Sequence, residues 1–187
     1  MFTIDDYRQA EQIEQHYFPT DCICDAHTCY NWYQKNPHTM QALFDNDGTM
    51  IGFINALPVS EQTYQQFYQG TFKDTDLPIE NLLQYKDNTT YKLYFCSIAI
   101  HPDYRGKGCI KPLAAIWINS LINLYQTRNI KFDIIFGEAI TEKGEKFLKS
   151  LKLQKHKHSD HSSLLLIKHM SQNKYETELK FLKRLFR

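Results

Sequence analysis

Glycine and proline are scarce in this sequence, and long apolar runs are missing. With 7 Gly and 6 Pro among 187 residues, the composition excludes a collagen-like or low-complexity chain. Polar residues interrupt every apolar stretch well before the roughly 20 residues that a membrane-spanning helix needs, so no membrane span is predicted. Aromatic residues make up 14% of the sequence, which disfavours a largely disordered chain. We therefore expect a folded domain with a substantial core.

We expect neither a secretory signal nor a disulfide framework. The first residues, MFTIDDYRQAEQIEQ, are acidic where a secretory signal is basic, and no apolar segment follows. Five cysteines, an odd number in a chain with its own core, favour thiols in a reducing compartment, and we expect a cytoplasmic protein. Cys22, Cys24 and Cys29 surround His27, but their spacing strains a single tetrahedral zinc site. Free thiols and no metal are predicted there.

Neither sign of charge dominates, since 22 Lys or Arg stand against 21 Asp or Glu, a net charge of +1. Residues 168–187 hold six basic and two acidic residues, whereas residues 1–167 hold 16 and 19. A near-neutral body lacks the footprint of a nucleic-acid-binding protein, so no nucleic-acid partner is expected. The alternative is a nucleic-acid-binding protein with a basic tail. Its affinity for nucleic acid would fall steeply with salt and would be lost without residues 171–187.

The first half of the sequence predicts two helices, a hairpin and a long irregular segment. Acids followed by apolar residues at helical spacing predict a helix at 5–17, and a second short helix ends before Pro37. Asp-Asn-Asp-Gly between apolar runs is typical of a hairpin turn, which predicts strands at 40–45 and 49–57. The segment at residues 58–90 is longer than most connections between strands, so we expect it to cover another part of the domain. Short helices are expected there at 60–69 and 78–84.

The second half alternates strands and helices. A β-prone run at 91–100 precedes a helix with apolar residues from Ile110 to Tyr125, and a strand at 131–140 precedes a helix at 141–152. Strands separated by a helix normally pair in parallel, which predicts one side of a mixed α/β sheet. HSSLLLIKHM supplies a last strand. A solvated hairpin loop before that strand is expected to carry three histidines: His156, His158 and His161.

The tail, residues 171–187, is predicted to form a basic amphipathic helix. Its apolar face would comprise Tyr175, Leu179, Leu182 and Leu185 or Phe186. We expect this face to pack on the domain or on a second copy of the chain, as in a homodimer. Weak attachment to an anionic surface is the alternative.

A short glycine-rich loop follows the strand at 91–100. Tyr104-Arg105-Gly106-Lys107-Gly108 precedes a helix N-terminus, where unpaired N–H groups and the helix dipole favour a phosphate. Glycine lets the phosphate approach those amides closely. The P-loop pattern and the G-x-G-x-x-G pattern are both missing, which disfavours ATP and NAD as ligands.

The strand end and this loop together resemble motif A of the GNAT superfamily of N-acetyltransferases, [RQ]-x-x-G-x-[GA] after a strand that commonly ends before proline. The matching residues are Ile98-Ala99-Ile100-His101-Pro102 and Arg105-Gly106-Lys107-Gly108-Cys109-Ile110. The resemblance implies an α/β (α+β) domain over residues 1–170, followed by the helix at 171–187. It further implies a mixed, mostly antiparallel central sheet, flanked by helices and splayed between the strands at 91–100 and 131–140, with acetyl-CoA bound between them.

The family's contacts to acetyl-CoA carry over to matching positions. Backbone groups of Ile98, Ala99 and Ile100 would bind the pantetheine arm, and the Arg105 side chain would add a charge-assisted hydrogen bond. Thr141 stands at the position of an asparagine in a second family segment. The pyrophosphate would be held by the amides of the loop: Arg105, Gly106, Lys107, Gly108, Cys109 and Ile110.

The sequence departs from the family at three positions. Ile110 stands where the family has Gly or Ala, and Thr141 stands where it has Asn. Leu148 stands where many members have a tyrosine that protonates the leaving thiolate. The resemblance therefore supports cofactor binding better than catalysis.

The resemblance implies direct transfer of an acetyl group from acetyl-CoA to a primary amine of a small molecule or peptide. Glu138 is the candidate general base, with a solvated or lysine-paired glutamate as the alternative. Tyr94 is the candidate acid, with a packing aromatic as the alternative, and Cys96 on its face is interpreted as packing. Residues 58–90 would lie near the acceptor entrance, either receiving a cationic amine or forming a plain lid. The second hypothesis for the whole protein is a weak or inactive acyl-CoA-binding sensor or interaction module.

Overall fold

The structure, a computed structural model, describes residues 1–160 and 163–186. Within these residues it contains a six-stranded sheet and six α-helices. The strands are β1 (Met40–Phe44), β2 (Met50–Val59), β3 (Thr90–Ile100), β4 (Lys131–Ala139), β5 (Gln154–His158) and β6 (Leu164–His169). The helices are α1 (Ile4–Glu14), α2 (Ala26–Lys35), α3 (Glu61–Gln69), α4 (Ile110–Arg128), α5 (Glu142–Ser150) and α6 (Tyr175–Leu185).

Polar side chains and one left-handed residue fix where several helices begin or end. Thr3 and Asp6 form a capping box at the start of α1. Asp25 and Ser60 accept hydrogen bonds from first-turn amides of α2 and α3. Asn129 ends α4 in the left-handed conformation, with φ 49°, which asparagine tolerates better than most residues. The chain therefore turns from α4 directly into β4.

The strand order in the sheet is β1-β2-β3-β4-β6-β5. Neighbouring strands are antiparallel except β3 and β4, which are parallel. This confirms the mixed, mostly antiparallel sheet that the resemblance implied. The parallel pair is the one that the β-α-β pattern predicted.

The parallel pairing stops partway along β3 and β4. The last pair is Phe95 with Gly137, whereas β3 continues to Ile100 beside β2 and β4 continues to Ala139 beside β6. A Cβ on Gly137 would lie 3.0 Å from the Phe95 carbonyl oxygen, so glycine permits the close approach at this point. Beyond it the strands separate, which confirms the predicted splay.

Helices cover both faces of the sheet. On the α1 face, α1, α2 and α3 pack over a hydrophobic cluster that includes Tyr94 and Phe136. On the α4 face, α4, α5 and α6 pack over a second cluster that includes Phe95 and Leu148. The pairing of β2 with β3 shifts by one residue opposite Cys96, and such a bulge re-aims side chains.

Most predicted elements are confirmed, including both N-terminal helices, the hairpin, the helix at 60–69 and the β-α-β-α order. Two expectations are wrong. His156 and His158, expected in a solvated loop, lie in the edge strand β5, whose backbone pairs with β6 although its polar sequence shows no apolar alternation. In place of a helix at 78–84 there is a three-residue 3-10 turn, Ile79–Asn81, and Leu82 then bridges to Val59.

The tail forms α6, and its apolar residues Tyr175, Leu179 and Leu182 are buried in the α4-face cluster. None of the helices in the described part of the chain has the length and apolar character needed to cross a membrane.

Candidate active site

A cavity of about 1270 Å³ opens where β3 and β4 separate. Its walls come from the end of α1 and the loop after it, from both strands, from the loop before α4 and from the N-terminus of α5. Cavities of this kind at the splitting point of a sheet are common ligand sites. The cavity lies between the two strands that the sequence predicted to hold acetyl-CoA.

The glycine-rich loop presents backbone amides to this cavity. Gly106 and Gly108 have φ 78° and 80°, a conformation that favours glycine, and a Cβ at either position would meet open space. Two of the six predicted phosphate donors are already used, because the amides of Arg105 and Lys107 donate to loop carbonyls. Four loop amides have no acceptor among residues 1–160 and 163–186: Gly106, Gly108, Cys109 and Ile110.

The start of α4 agrees with an anion-binding role for these amides. Pro112 occupies the third position of α4, within the first turn where N–H groups have no intrahelical partner. Amides without partners at a helix N-terminus beside a cavity fit a pyrophosphate. Ile110 begins α4 and is partly buried at the cavity wall.

Arg105 is exposed, and its guanidinium lies 4.4 Å from the centre of the Tyr17 ring. The Tyr17 hydroxyl donates a hydrogen bond of 2.8 Å to the Ile100 carbonyl oxygen at the end of β3. Nearby, the Tyr104 hydroxyl donates to Asp45 over 2.6 Å, which joins the loop to the β1–β2 turn and lowers the pKa of Asp45. The loop that precedes α4 is therefore held from two sides.

The predicted pantetheine strand has an open edge. Ile98, Ala99 and Ile100 pair with β2, but within the described residues β4 pairs with β3 only as far as Phe95. An extended ligand arm could therefore lie along β3 where a strand is missing. Together with the loop amides, this edge fits the pantetheine and pyrophosphate of an acyl-CoA.

Two of the three departures from the family pattern belong to α5, one at its N-terminal cap and one within the helix. Thr141 caps α5 and accepts a hydrogen bond of 3.1 Å from the Gly144 amide, so its oxygen already has a structural partner. Leu148 is buried, and its Cδ1 lies 3.4 Å from where a Gly137 Cβ would stand. An aliphatic side chain thus occupies the point of separation, and this position supplies no hydroxyl.

Glu138 lies on the strand end at the cavity, as predicted. Its side chain is partly exposed, and its Oε1 accepts a hydrogen bond of 3.0 Å from the Ser159 hydroxyl. Two lysines of the following helix, Lys146 and Lys149, pair instead with Glu142 and Glu145 of α5 itself. The carboxylate is therefore held by a hydroxyl and reaches the cavity.

Tyr94 and Cys96 meet at a third residue, Asp74, in the segment between α3 and β3. The Tyr94 hydroxyl and the Cys96 thiol donate to the same Asp74 oxygen, over 3.3 Å and 3.4 Å. Burial raises the pKa values of the Asp74 carboxyl, the Tyr94 phenol and the Cys96 thiol. All three groups line the cavity and stay protonated to higher pH than their exposed counterparts.

Sequence reasoning missed Asp74 and also Glu14, the last residue of α1. Glu14 is 8% exposed, lines the cavity and accepts a hydrogen bond from Ser97. Burial raises its pKa to about 7. Glu14 follows Ala10 and Ile13 on the buried stripe of α1, and a carboxylate on an apolar stripe was the available signal. Asp74 lies in an irregular segment that offered no such signal.

The predicted cluster of Cys22, Cys24 and Cys29 borders the cavity, whereas His156 and His158 on β5 do not line it. All five cysteines carry free thiols. Cys24 and Cys29 are buried, and the Cys29 thiol donates to the Cys24 carbonyl. His156 on β5 contacts the Tyr68 carbonyl oxygen at 3.0 Å, and His161 lies outside the described residues. Among those residues no three His, Cys, Asp or Glu side chains could jointly hold a metal ion.

Comparison with known proteins identifies the fold. No protein-family model matches the sequence, and no curated protein matches it. Among solved structures, the chain is similar to a GphF GNAT-like decarboxylase in complex with isobutyryl-CoA, with a TM-score of 0.61, 9% identity, and coverage of 90% of this chain and 96% of that one.

Two acetyltransferase structures are similar over comparable lengths. The NatC complex bound to Gag peptide and CoA gives a TM-score of 0.58, 14% identity and coverage of 88% and 91%. The ribosomal-protein-S18-alanine N-acetyltransferase from Escherichia coli gives 0.52, 15% identity and coverage of 91% and 92%. At these identities the likeness shows the fold, which is the GNAT fold that the loop motif indicated.

Proposed function

We propose that this protein is an N-acetyltransferase that moves an acetyl group from acetyl-CoA directly to a primary amine. The observation that carries the proposal is that one cavity joins four unpartnered loop amides, the open edge of β3 and several carboxyl groups. The relatives described above with bound isobutyryl-CoA or CoA support an acyl-CoA as the donor. The NatC structure, which holds a peptide, keeps a peptide amine among the candidate acceptors beside small molecules.

Acetyl-CoA would supply the activated acyl group, and this chain would hold it in three places. The amides of Gly106, Gly108, Cys109 and Ile110 would bind the pyrophosphate, with the Arg105 guanidinium beside them. The backbone of Ile98–Ile100 would bind the pantetheine arm. Thr141, at the N-terminus of α5, would border the same arm.

The proton steps follow from the groups around the strand separation. Glu138 would accept the proton that the acceptor's ammonium group must lose before its nitrogen attacks the thioester. As the carbon–sulfur bond breaks, Tyr94 would give the departing thiolate a proton. Burial makes this phenol a weak acid, so we assign its reprotonation to Asp74, which touches the phenol oxygen and whose raised pKa lets it carry a proton. The second proton that the attacking nitrogen loses as the amide forms would return to the Asp74 carboxylate, so that only the proton taken by Glu138 is released to solvent.

Calorimetric titration with acetyl-CoA, free CoA and ATP tests the donor site first. The proposal predicts that both CoA compounds bind and that ATP does not. A thiol-release screen then presents acetyl-CoA with small amines and with peptides that have free N-termini. Acetyl-CoA binding without turnover of any amine would favour the sensor or interaction module, and failure to bind any CoA compound would contradict both functions.

A further inference from the structure

The end of α6 reaches the cavity, although nothing in the loop motif involves this helix. Tyr175 anchors the start of α6 on β4, because its hydroxyl accepts a hydrogen bond of 3.1 Å from the Phe132 amide. Leu179 and Leu182 are buried in the α4-face cluster. The position of the next turn is therefore fixed by packing, and Leu185 and Phe186 line the cavity.

Phe186 meets an aromatic residue of α5 at this wall. Its ring centre lies 5.9 Å from that of Phe147, with an angle of 38° between the ring planes. Both side chains are only partly buried and both line the cavity. Helix α5 and the residue that directly follows α6 thus place a pair of aromatic rings, each with surface still exposed, in the cavity wall.

The part of the donor that would reach these rings follows from the proposed function, on which this inference rests. The thioester would lie between β3 and β4, and the pyrophosphate would lie on the loop amides. The adenosine with its 3′-phosphate remains, and this inference places it along the cavity wall that runs from Thr141 at the start of α5 to the residues at the end of α6. Adenine offers a π-face, and bases stack favourably on aromatic side chains.

The charges at the same wall suit a phosphorylated nucleoside. Lys143 and Lys146 on α5 line the cavity. Lys146 pairs with Glu142, but both side chains are largely exposed, 73% and 78%, and exposed pairs contribute little to stability. Either ammonium group is therefore able to turn toward a phosphate.

We propose that Phe147 and Phe186 form an adenine-binding wall contributed jointly by α5 and α6. This wall makes the nucleotide part of CoA a specificity element, so the acyl donor is a free CoA thioester. A pantetheine thioester without the adenosine, as on a carrier protein, would lose this contact.

The test compares two ligands, CoA and 4′-phosphopantetheine, by calorimetry on the full chain. Phe186→Leu keeps an apolar side chain against Phe147 but removes the π-face. We expect it to weaken CoA binding about tenfold, in the range of base–aromatic stacking, and to leave 4′-phosphopantetheine affinity unchanged. Phe186→Trp restores an aromatic face and is expected to retain CoA affinity.

Phe181 provides the matched control, because it is the same residue type within α6, the helix that Phe186 directly follows, is partly buried, and does not line the cavity. Phe181→Leu is expected to leave both affinities unchanged. If Phe186→Leu binds CoA as tightly as the unmodified chain does, the adenine wall is overturned while the proposed donor site stays intact. The same conclusion follows if Phe186→Leu loses affinity for CoA and for 4′-phosphopantetheine by the same factor. Failure of the unmodified chain to bind either ligand would instead contradict the proposed function.

Discussion

The Ser97 hydroxyl of β3 donates a hydrogen bond to the Glu14 carboxylate at the end of α1. The bulge opposite Cys96 makes this possible, because it places Cys96 and Ser97, which are consecutive, both toward the α1 face. The hydrogen bond favours the charged form of Glu14, but burial outweighs it and raises the pKa of Glu14 to about 7. The fold thus keeps a carboxyl group at the cavity that titrates near neutral pH.

Stability should therefore fall as pH rises through the range in which Glu14 titrates. Below about pH 4.5, Glu14 is protonated in both the folded and the unfolded chain. Between about pH 4.5 and about pH 7, Glu14 ionises in the unfolded chain while it stays protonated in the folded one, so the free energy of unfolding decreases. The expected decrease in the free energy of unfolding over this pH range is about 3 kcal/mol. Glu14→Gln should remove it, and urea unfolding of both proteins at pH 5 and pH 8 measures the difference.

Ser97→Ala provides a second variant with a predicted direction. Loss of the hydroxyl removes the bond that stabilises the charged form, so the pKa of Glu14 should rise further and the pH-dependent loss of stability should extend to higher pH. If the free energy of unfolding depends on pH in the same way in all three proteins, Glu14 is not the group responsible.

Arg105→Glu should weaken acetyl-CoA binding by roughly tenfold or more, because it reverses a charge beside the proposed phosphate site. The residue is exposed, so the fold should survive the loss of its contact with Tyr17. Calorimetry at low and high salt checks the electrostatic origin, since salt should narrow the difference. Arg8→Glu, a charge reversal at an exposed arginine paired with Asp5, should leave the affinity unchanged.

Gly108→Ala should also weaken acetyl-CoA binding, for a conformational reason. The residue has φ 80° and open space around it, so the cost is backbone strain of about 1–2 kcal/mol and a shifted loop. Gly48→Ala is the control, with the same φ of 80° in the β1–β2 turn. Both variants should lower the melting temperature similarly, but only Gly108→Ala should change the affinity measured by calorimetry.

Glu138→Gln should reduce turnover about a hundredfold, the usual contribution of a general base, with acetyl-CoA affinity nearly unchanged. The amide oxygen can still accept the Ser159 hydrogen bond, so the local structure should persist. The rate is measured by thiol release with an amine found in the screen. Glu80→Gln, at an exposed glutamate of the Ile79–Asn81 turn, serves as the control; full activity of Glu138→Gln would remove Glu138 as the base.

Much of the fold was predictable because it depends on local patterns. Helical spacing, the hairpin turn and the strand–loop–helix motif each depend on a few neighbouring residues, and the structure confirms them. Strand β5 was not predictable from its own sequence, because its polar side chains show no alternation and its pairing with β6 alone makes it a strand. Glu138 was found because it ends a strand, whereas Asp74 lies in a segment without periodicity.

The sequence alone determined the loop at residues 104–110, since its glycines and the helix that follows fix the exposed amides through local backbone preferences. Tertiary structure alone decided which side chains share the cavity with that loop. Glu14 and Ser97 are 83 residues apart, and Phe147 lies in α5 whereas Phe186 directly follows α6. Their proximity, and the burial that raises the pKa of Glu14, arise from packing and desolvation across the whole sheet, which no local pattern encodes.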